Sequence, residues 1–369
     1  HLAMNPISIG DLKGNKFTIV LRNIQMEEFQ GQIKNEDDFN QINEEIRERI
    51  LAVEQSGFIN YFGMQRFGTT SVPTHHIGIL ILKREWGKII DILLEPQEDE
   101  IPKLRQAKEI FQKTRDPEEA LKLVPRSAQT EYSLFEAISR ISKEKKIDPF
   151  SNPHELFSRI DRRQRMLYVH SYQSFLWNHL VSQRIIQYGT QVVVGDFVLK
   201  GEGKGDVERV TPENIGKYSI FDVAIAIPSA NNDKGQISPE LIDLMSKDNV
   251  TIEMFQRLSS EYGASGDWRC IMSRAKDIEW EIITHDDMDA ILIDSDLNRI
   301  NGTTNKVNHV ENGKITSLCL SFSLSKSQYA TMFLRELLKR STEWYTDSAM
   351  SNQNEEAHTH WWQNLCNIY

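Results

Sequence analysis

The segment spanning residues 57–68 combines residue types that suit contact with a nucleobase. It holds three glycines, four aromatic rings, two side-chain amides and one arginine. Aromatic rings stack on bases, while amides and guanidinium groups hydrogen-bond to them. Glycines allow positive φ angles and close backbone approach. Three of them would destabilise a regular helix or strand of this length. The segment is therefore either a nucleotide-contacting loop or a buried aromatic turn. Its candidate side chains are Asn60, Tyr61, Phe62, Gln65, Arg66 and Phe67.

Two predicted elements precede this segment and must position it. Residues 38–55 carry apolar side chains at spacings of three and four, which predicts an amphipathic helix that ends just before Gly57. Residues 15–24 alternate, with Phe17, Ile19 and Leu21 on one face, which predicts a strand.

A cluster of arginines lies on the first half of a predicted long helix at residues 155–188. The cluster contains Arg162, Arg163 and Arg165, and Gly189 ends the helix. Such a cluster is either a solvated helix face or a patch that contacts phosphate groups.

The remaining segments mix predicted helices and strands. Helices are predicted at residues 77–94, within 97–126, and at 133–141, 239–258 and 328–339. Strands are predicted at residues 191–199, 207–211, 219–227, 268–272, 291–293 and 314–324, with a glycine-rich hairpin tip at 200–206.

Composition restricts the function classes. The chain has 369 residues, of which 39% are hydrophobic and 26% charged, as is typical of globular proteins with two domains or one large one. The net charge of -10 argues against a generally basic surface, so that nucleic acid would bind at a local patch. Three widely spaced cysteines without a C-x-x-C pair argue against a zinc site or a disulfide framework. No apolar run is long enough to cross a membrane, and no secretory signal is found.

Four segments occur in an order that matches a known family. They are Asn60-Tyr61-Phe62-Gly63 with Gln65-Arg66-Phe67-Gly68, the strand Gly14-Asn15-Lys16-Phe17, the helix at residues 168–178, and the strand and helix at residues 323–337. In these segments the chain resembles the TruD family of RNA pseudouridine synthases, and the helix at residues 168–178 resembles the eukaryotic branch of that family.

The resemblance implies an α+β fold with a particular domain order. A pseudouridine-synthase-type catalytic core, a mixed sheet flanked by helices, would be interrupted by an inserted α+β domain, the TRUD domain. The core would comprise residues 1–85 and 263–340, and the insertion residues 86–262. Residues 341–369 form an acidic tail with three tryptophans, which we expect to pack onto the protein or onto a second copy.

The resemblance also implies a reaction, the isomerisation of uridine to pseudouridine in tRNA, with mRNA as a second candidate substrate and no cofactor or metal. Phe17 would stack on the target uracil and Asn15 would orient the catalytic aspartate; alternatively, Phe17 is an ordinary core residue. The family's aspartate motif, Gly-x-Lys-Asp-x-x-Ala-x-Thr, does not occur in the chain, and Asp11 does not match it. The chain by itself is therefore expected to be inactive.

Roles for the loop follow from the same resemblance. Asn60, Tyr61 and Phe62 would line the uracil cleft with Phe67 beside them, while Gln65 and Arg66 would hold the loop or contact phosphate. An intramolecular salt bridge is the alternative for Arg66. The arginines Arg162, Arg163 and Arg165 would contact RNA.

Two other functions stay open: an RNA-binding module without chemistry, and a protein-interaction scaffold, for which the acidic charge and the tail are the arguments. Residues His1 to Met4 are interpreted as a remnant of cloning, so that the chain is expected to be part of a longer protein. The expected location is inside the cell, in the nucleus or the cytoplasm.

Overall fold

The computed structural model describes residues 12–24, 36–68, 71–144, 147–201, 206–229, 237–264, 266–307, 309–310 and 313–339. The predictions for Asp11, for residues 1–4, for most of the turn at 200–206 and for the tail at 341–369 lie outside the described residues. The chain forms two compact units. Unit 1 comprises the described residues up to Tyr61 and those from Met272 onwards, and unit 2 spans Phe62–Ile271. The domain bounds inferred from the resemblance stay predictions.

The described residues contain both helices and strands. The strands are β1 (Gly14–Leu21), β2 (Phe58–Ile59), β3 (Phe197–Leu199), β4 (Val207–Arg209), β5 (Val223–Ala226), β6 (Trp268–Cys270), β7 (Met272–Ser273), β8 (Lys276–His285) and β9 (Ile315–Ser325). The α-helices are α1 (Glu36–Ser56), α2 (Thr74–Leu82), α3 (Trp86–Leu94), α4 (Pro102–Thr114), α5 (Pro117–Leu121), α6 (Gln129–Glu144), α7 (Pro153–Ser158), α8 (Arg162–Tyr188), α9 (Pro239–Lys247), α10 (Ile252–Tyr262), α11 (Asp296–Asn301) and α12 (Ala330–Leu338). The predicted α+β class is confirmed.

Unit 1 is built on a three-stranded sheet in the order β1-β9-β8, with both pairs antiparallel. The register places Phe17 opposite Phe322. Helix α1 covers one sheet face, where Ile42 packs with Ile282 and Leu318. The predicted strands at residues 15–24 and 314–324 and the predicted helices at 38–55 and 328–339 are confirmed.

In unit 1 one strand was not predicted and one predicted strand is wrong. Strand β8 was missed, although its Ile278, Trp280 and Ile282 alternate with charged residues, as a half-exposed strand requires. A strand was predicted at residues 291–293, where the chain forms none. Leu292 is buried in a cluster with Ile283. A short apolar run in a buried irregular segment cannot be distinguished from a short strand by its sequence pattern.

Unit 2 combines helices with a four-stranded antiparallel sheet in the order β4-β3-β5-β6. Helix α8 runs through its core, where Val169, Tyr172, Leu176, Trp177 and Val181 are fully buried. A helix buried on several sides positions its side chains rigidly, because each rotamer is held by surrounding packing.

Several elements of unit 2 are shorter than predicted. The segment at residues 77–94 forms two helices, α2 and α3, because Arg84 takes a left-handed φ of 58° between them. The predicted helix at residues 155–188 is also divided into two helices, α7 and α8. Asp161 is the N-cap of α8, where its side chain accepts a hydrogen bond from the Arg163 amide at 2.8 Å. Residues 239–258 divide into α9 and α10 around Asn249, which has φ 53°. The strand predicted at residues 191–199 forms only at β3.

Candidate functional site

A row of four phenylalanine rings forms the centre of the candidate site in unit 1. Phe17 on β1 stacks on Phe322 of β9, with ring centroids 5.5 Å apart and planes 23° apart. Phe322 contacts Phe333 of α12 at 4.4 Å, and Phe333 contacts Phe58 of β2 at 6.0 Å. Phe58, Phe322 and Phe333 are buried, whereas Phe17 is half-buried. The row connects the strand that carries Phe17 to the start of the aromatic-glycine segment.

Gly14 allows this strand pairing. A Cβ atom at Gly14 would lie 2.2 Å from the carbonyl oxygen of Leu324, which is backbone and has no freedom to move aside. Asn15 follows, pairs with Leu324 in the register and is exposed. Its amide is therefore accessible from solvent, two residues before the half-buried ring of Phe17.

The aromatic-glycine segment begins with a tight turn in unit 1. Gly57 ends α1 with a φ of 68°, and its amide donates to the Val53 carbonyl at 2.8 Å. Asn60 and Tyr61 follow and are each 5% exposed. The turn is thus largely packed against the protein, as the alternative of a buried aromatic turn predicts.

Phe62 belongs to unit 2 and is held on both backbone and ring. Its amide donates to the Asn178 Oδ1 at 2.9 Å, and its carbonyl accepts from the Asn178 Nδ2 at 3.0 Å. Its ring meets Trp177 edge-on at 5.4 Å, and the Arg269 guanidinium lies 4.2 Å from the ring centroid. Two adjacent residues of α8 therefore fix the position of Phe62, which is 6% exposed.

The second half of the segment contains both exposed and buried side chains. Gln65 is exposed, whereas Phe67 is 1% exposed and meets His75 edge-on at 5.9 Å. Arg66 lies 5.6 Å from the Phe62 centroid, and its buried Nε atom has no hydrogen-bond partner. No ion pair of Arg66 is recorded within the described part of the chain. The salt bridge considered for Arg66 is therefore not observed there.

Two guanidinium groups thus approach the one ring of Phe62. The positive charge of Arg66 also acts on His170. The pKa of His170 is lowered, chiefly by burial and further by Arg66, while the hydrogen bond to the Gly263 carbonyl opposes this shift. The His170 Nε2 lies 3.3 Å from that carbonyl. The neutral imidazole avoids placing a third positive charge beside Arg66.

The arginines at the start of α8 differ in their surroundings. Arg162 and Arg163 are exposed. Arg165 is bound within the protein, because its Nε donates to the Ile160 carbonyl at 3.0 Å and its Nη1 lies 3.4 Å from Glu261. Of the three, Arg162 and Arg163 keep the solvent access that a phosphate contact requires.

The described residues offer no metal centre and no membrane span. No group of three histidine, cysteine, aspartate or glutamate side chains among them is arranged to hold a metal ion. None of the helices described combines the length and the apolar character needed to cross a bilayer.

Comparison with known proteins identifies the family. The family model for tRNA pseudouridine synthase D (TruD) matches residues 1–337. This chain belongs to the TruD family. It is 34% identical to the human Pseudouridylate synthase 7 homolog, with 95% of this chain and 49% of that protein covered. It is 31% identical to the Multisubstrate pseudouridine synthase 7 of Schizosaccharomyces pombe, with 91% of this chain and 50% of that protein covered. The chain thus spans about half the length of these relatives.

A solved structure supports the fold of this TruD-family chain. The crystal structure of a Methanosarcina mazei protein assigned to tRNA pseudouridine synthase D (TruD) has a TM-score of 0.60 and 24% sequence identity. The match covers 90% of this chain and 70% of the other. At this identity the likeness concerns the fold.

The roles that the TruD resemblance implies for individual side chains stay predictions. Within unit 1 the structure brings Phe17, two residues after Asn15, into one ring row with Phe58, which lies two residues before Asn60. Phe62 lies in unit 2, so that its predicted convergence with these residues stays a prediction.

Sequence reasoning missed several residues that shape this site. Phe322 and Phe333 hold Phe17 and Phe58, and Arg269 covers Phe62. The pairing of β1 with β9 could have indicated Phe322, since both strands were predicted. Nothing local marks Arg269, which lies more than two hundred residues from Phe62 in the sequence.

Proposed function

We propose that the full-length protein isomerises uridine to pseudouridine in RNA, with tRNA as its substrate class and mRNA as a second one, inside the nucleus or the cytoplasm. In this reaction the N1–C1′ bond of a uridine breaks, the uracil rotates, and C5 bonds to C1′. N1 gains a proton and the hydrogen at C5 is lost to solvent, so that product and substrate are isomers. The base must leave its stack before it can rotate, and the enzyme must hold it while it is detached.

The half-buried Phe17 ring is the observation that carries the proposal. It is held on Phe322, which is itself held by Phe333, so that its position is set before any base arrives. Part of Phe17 stays accessible to solvent. A ring fixed by the core and partly open suits stacking on a flipped base, because little side-chain freedom is lost on binding.

Asn15 and Asn60 complete the proposed site in unit 1, and Arg66 of unit 2 is a separate proposed contact with RNA. The exposed Asn15 amide would orient the catalytic carboxylate, which the TruD family carries upstream of this strand. Arg66 would contact RNA phosphate through its charge, since no acidic partner is recorded for it in the described ranges. Asn60 would contribute its amide to the polar edge of the uracil, as amides hydrogen-bond to bases.

The test compares Phe17→Leu with the wild-type full-length protein on a tRNA transcript that carries tritium at uridine C5. Leucine keeps an apolar side chain against Phe322 and removes the stacking surface. Base stacking on an aromatic ring is worth about 1–3 kcal/mol, so the rate of tritium release should fall roughly 5- to 150-fold. Phe17→Tyr should retain most activity. Ile19→Val on the same face of β1 is the matched control and should release tritium at the wild-type rate.

Other outcomes distinguish the remaining functions. Wild-type activity in Phe17→Leu would refute the stacking role. Salt-sensitive tRNA binding without tritium release by the wild-type protein would instead favour an RNA-binding module without chemistry. Absence of both binding and release would favour a protein-interaction scaffold.

A further inference from the structure

A groove in unit 2 is lined by residues outside the aromatic-glycine segment. Its volume is about 1000 Å³, at the upper end of the range for ligand pockets. One wall is the start of α6 and the turn before it, and the other is the junction of α7 and α8. The groove is therefore formed by elements within one unit.

The charge of the groove is positive. Arg126, before α6, and Arg163, on α8, both line the groove and are exposed, and neither has an ion pair within the described residues. Asp161 is the acidic residue of the lining, and its Oδ1 accepts from the Arg163 backbone amide at 2.8 Å. Arg159 nearby in the sequence is instead paired with Glu155 at 3.0 Å. The lining thus carries two guanidinium groups and one carboxylate, and this excess of positive charge, on a chain of net charge -10, indicates an anionic ligand.

The groove also offers an aromatic surface and hydrogen-bonding groups. Tyr132, in the first turn of α6, is 41% exposed, whereas the opposite face of the helix is buried. Gln129, Ser133 and Gln164 add amides and a hydroxyl to the lining. Guanidinium groups with an exposed ring and amides are the combination that binds a nucleic-acid backbone and its unstacked bases together.

We propose that this groove binds a single-stranded segment of RNA, with phosphates on Arg126 and Arg163 and a base on Tyr132. The assignment rests on the proposed function, because it makes the groove a second contact for the same RNA. A protein ligand is less suited, since acidic peptides would need the two arginines but not an exposed ring flanked by amides.

The test measures binding of a fluorescent single-stranded oligouridylate to the full-length protein by anisotropy at several salt concentrations. Arg126→Ala and Arg163→Ala should each weaken binding roughly tenfold, because each removes a charged hydrogen-bond donor. Each should also lower the slope of log K against log salt by about 0.7. Tyr132→Leu should weaken binding roughly 5- to 150-fold and leave that slope unchanged.

Arg140→Ala is the matched control. Arg140 is exposed on the same helix α6 and does not line the groove, so its replacement removes the same charge from the same unit. Wild-type binding by Arg140→Ala, with losses in the other three variants, supports the proposal. Equal losses in Arg140→Ala and Arg163→Ala would show a general charge effect and overturn it, as would unchanged binding in all variants, the result expected if the groove takes a protein instead.

Tritium release separates this proposal from the proposed function. If the wild-type protein releases tritium while the groove variants bind and react normally, the groove assignment fails and the proposed function stands. If the groove variants lose oligouridylate binding but the wild-type protein releases no tritium, the groove stands and the proposed function fails. Thermal melting of each variant confirms that the substituted proteins are folded.

Discussion

Replacing His75 should reduce the acid sensitivity of unit 2 by a calculable amount. His75 on α2 is 3% exposed, and its ring stacks on Phe175 at 4.2 Å. Burial, followed by the charges of His76 and His179, lowers the pKa of His75 from 6.5 to about 3. The folded protein therefore binds this proton only in strong acid, whereas the unfolded chain binds it near pH 6.5.

Because the unfolded chain binds the proton before the folded protein does, acid lowers the free energy of unfolding. Above pH 6.5 neither state is protonated at His75, so the residue has no effect on the pH dependence of stability. As the pH falls from 6.5 towards 3, the unfolded state gains the proton first, and the free energy of unfolding drops by about 1.4 kcal/mol per pH unit. At pH 5 the loss reaches about 2 kcal/mol, which corresponds to roughly 4–8 °C in melting temperature for a unit of this size.

The assay is thermal melting at pH 7.5 and at pH 5 of the wild-type protein and of His75→Phe, which keeps a ring against Phe175. Any change in packing around the new ring alters the stability of the variant at both pH values, so the difference between the two values isolates the titration. The drop in melting temperature should be about 4–8 °C smaller in His75→Phe. His76, His170 and His179, whose pKa values are also lowered chiefly by burial, retain part of the wild-type drop.

Ile77→Val is the control for this experiment. Ile77 is buried on the same helix and carries no titratable group, so its replacement should cost about 0.5–1.5 kcal/mol at both pH values. The reasoning is refuted if His75→Phe loses as much stability between the two pH values as the wild-type protein does.

Substitutions at two further positions test the packing around the site by thermal or denaturant unfolding. Gly14→Ala should destabilise unit 1 by about 1–3 kcal/mol, because the new Cβ atom would lie 2.2 Å from the Leu324 carbonyl oxygen; an unchanged melting temperature would show that β1 and β9 separate easily. Asn178→Ala should cost about 2 kcal/mol or more, because it leaves the buried amide and carbonyl of Phe62 without their partner. Asn178→Asp retains the acceptor but places a buried carboxylate oxygen against the Phe62 carbonyl, so at neutral pH it should be at least as unstable as Asn178→Ala; wild-type stability of both Asn178 variants would contradict this role.

The fold was predictable where a local pattern decided the structure. Helix α1 shows apolar side chains at helical spacing, and β1 alternates, so both were placed within a few residues of their bounds. The breaks were not predictable in the same way. Asp161 could have marked the start of α8, since aspartate is a common N-cap, but the apolar pattern continues across it and suggests one helix.

The candidate site was predictable in its residue types but not in their burial. The aromatic-glycine segment was identified, yet Tyr61, Phe62 and Phe67 are buried, and their exposure depends on partners far away in the sequence. The partners of Phe62, such as Trp177 and Arg269, come together only through the tertiary fold of unit 2. A sequence window carries no information on contacts at that separation. The same holds for the pairing of Phe17 with Phe322, because alternation along β1 and β9 gives the face of each residue but not the register of the two strands.

The most direct test of the account measures pseudouridine and released tritium in the same reaction. The full-length protein is incubated with a tRNA transcript that carries tritium at uridine C5, the released tritium is counted, and the digested RNA is analysed by chromatography. We predict one pseudouridine for each tritium released, with both reduced in parallel by Phe17→Leu. If the protein binds tRNA and mRNA but forms no pseudouridine and releases no tritium from either, the central claim is contradicted.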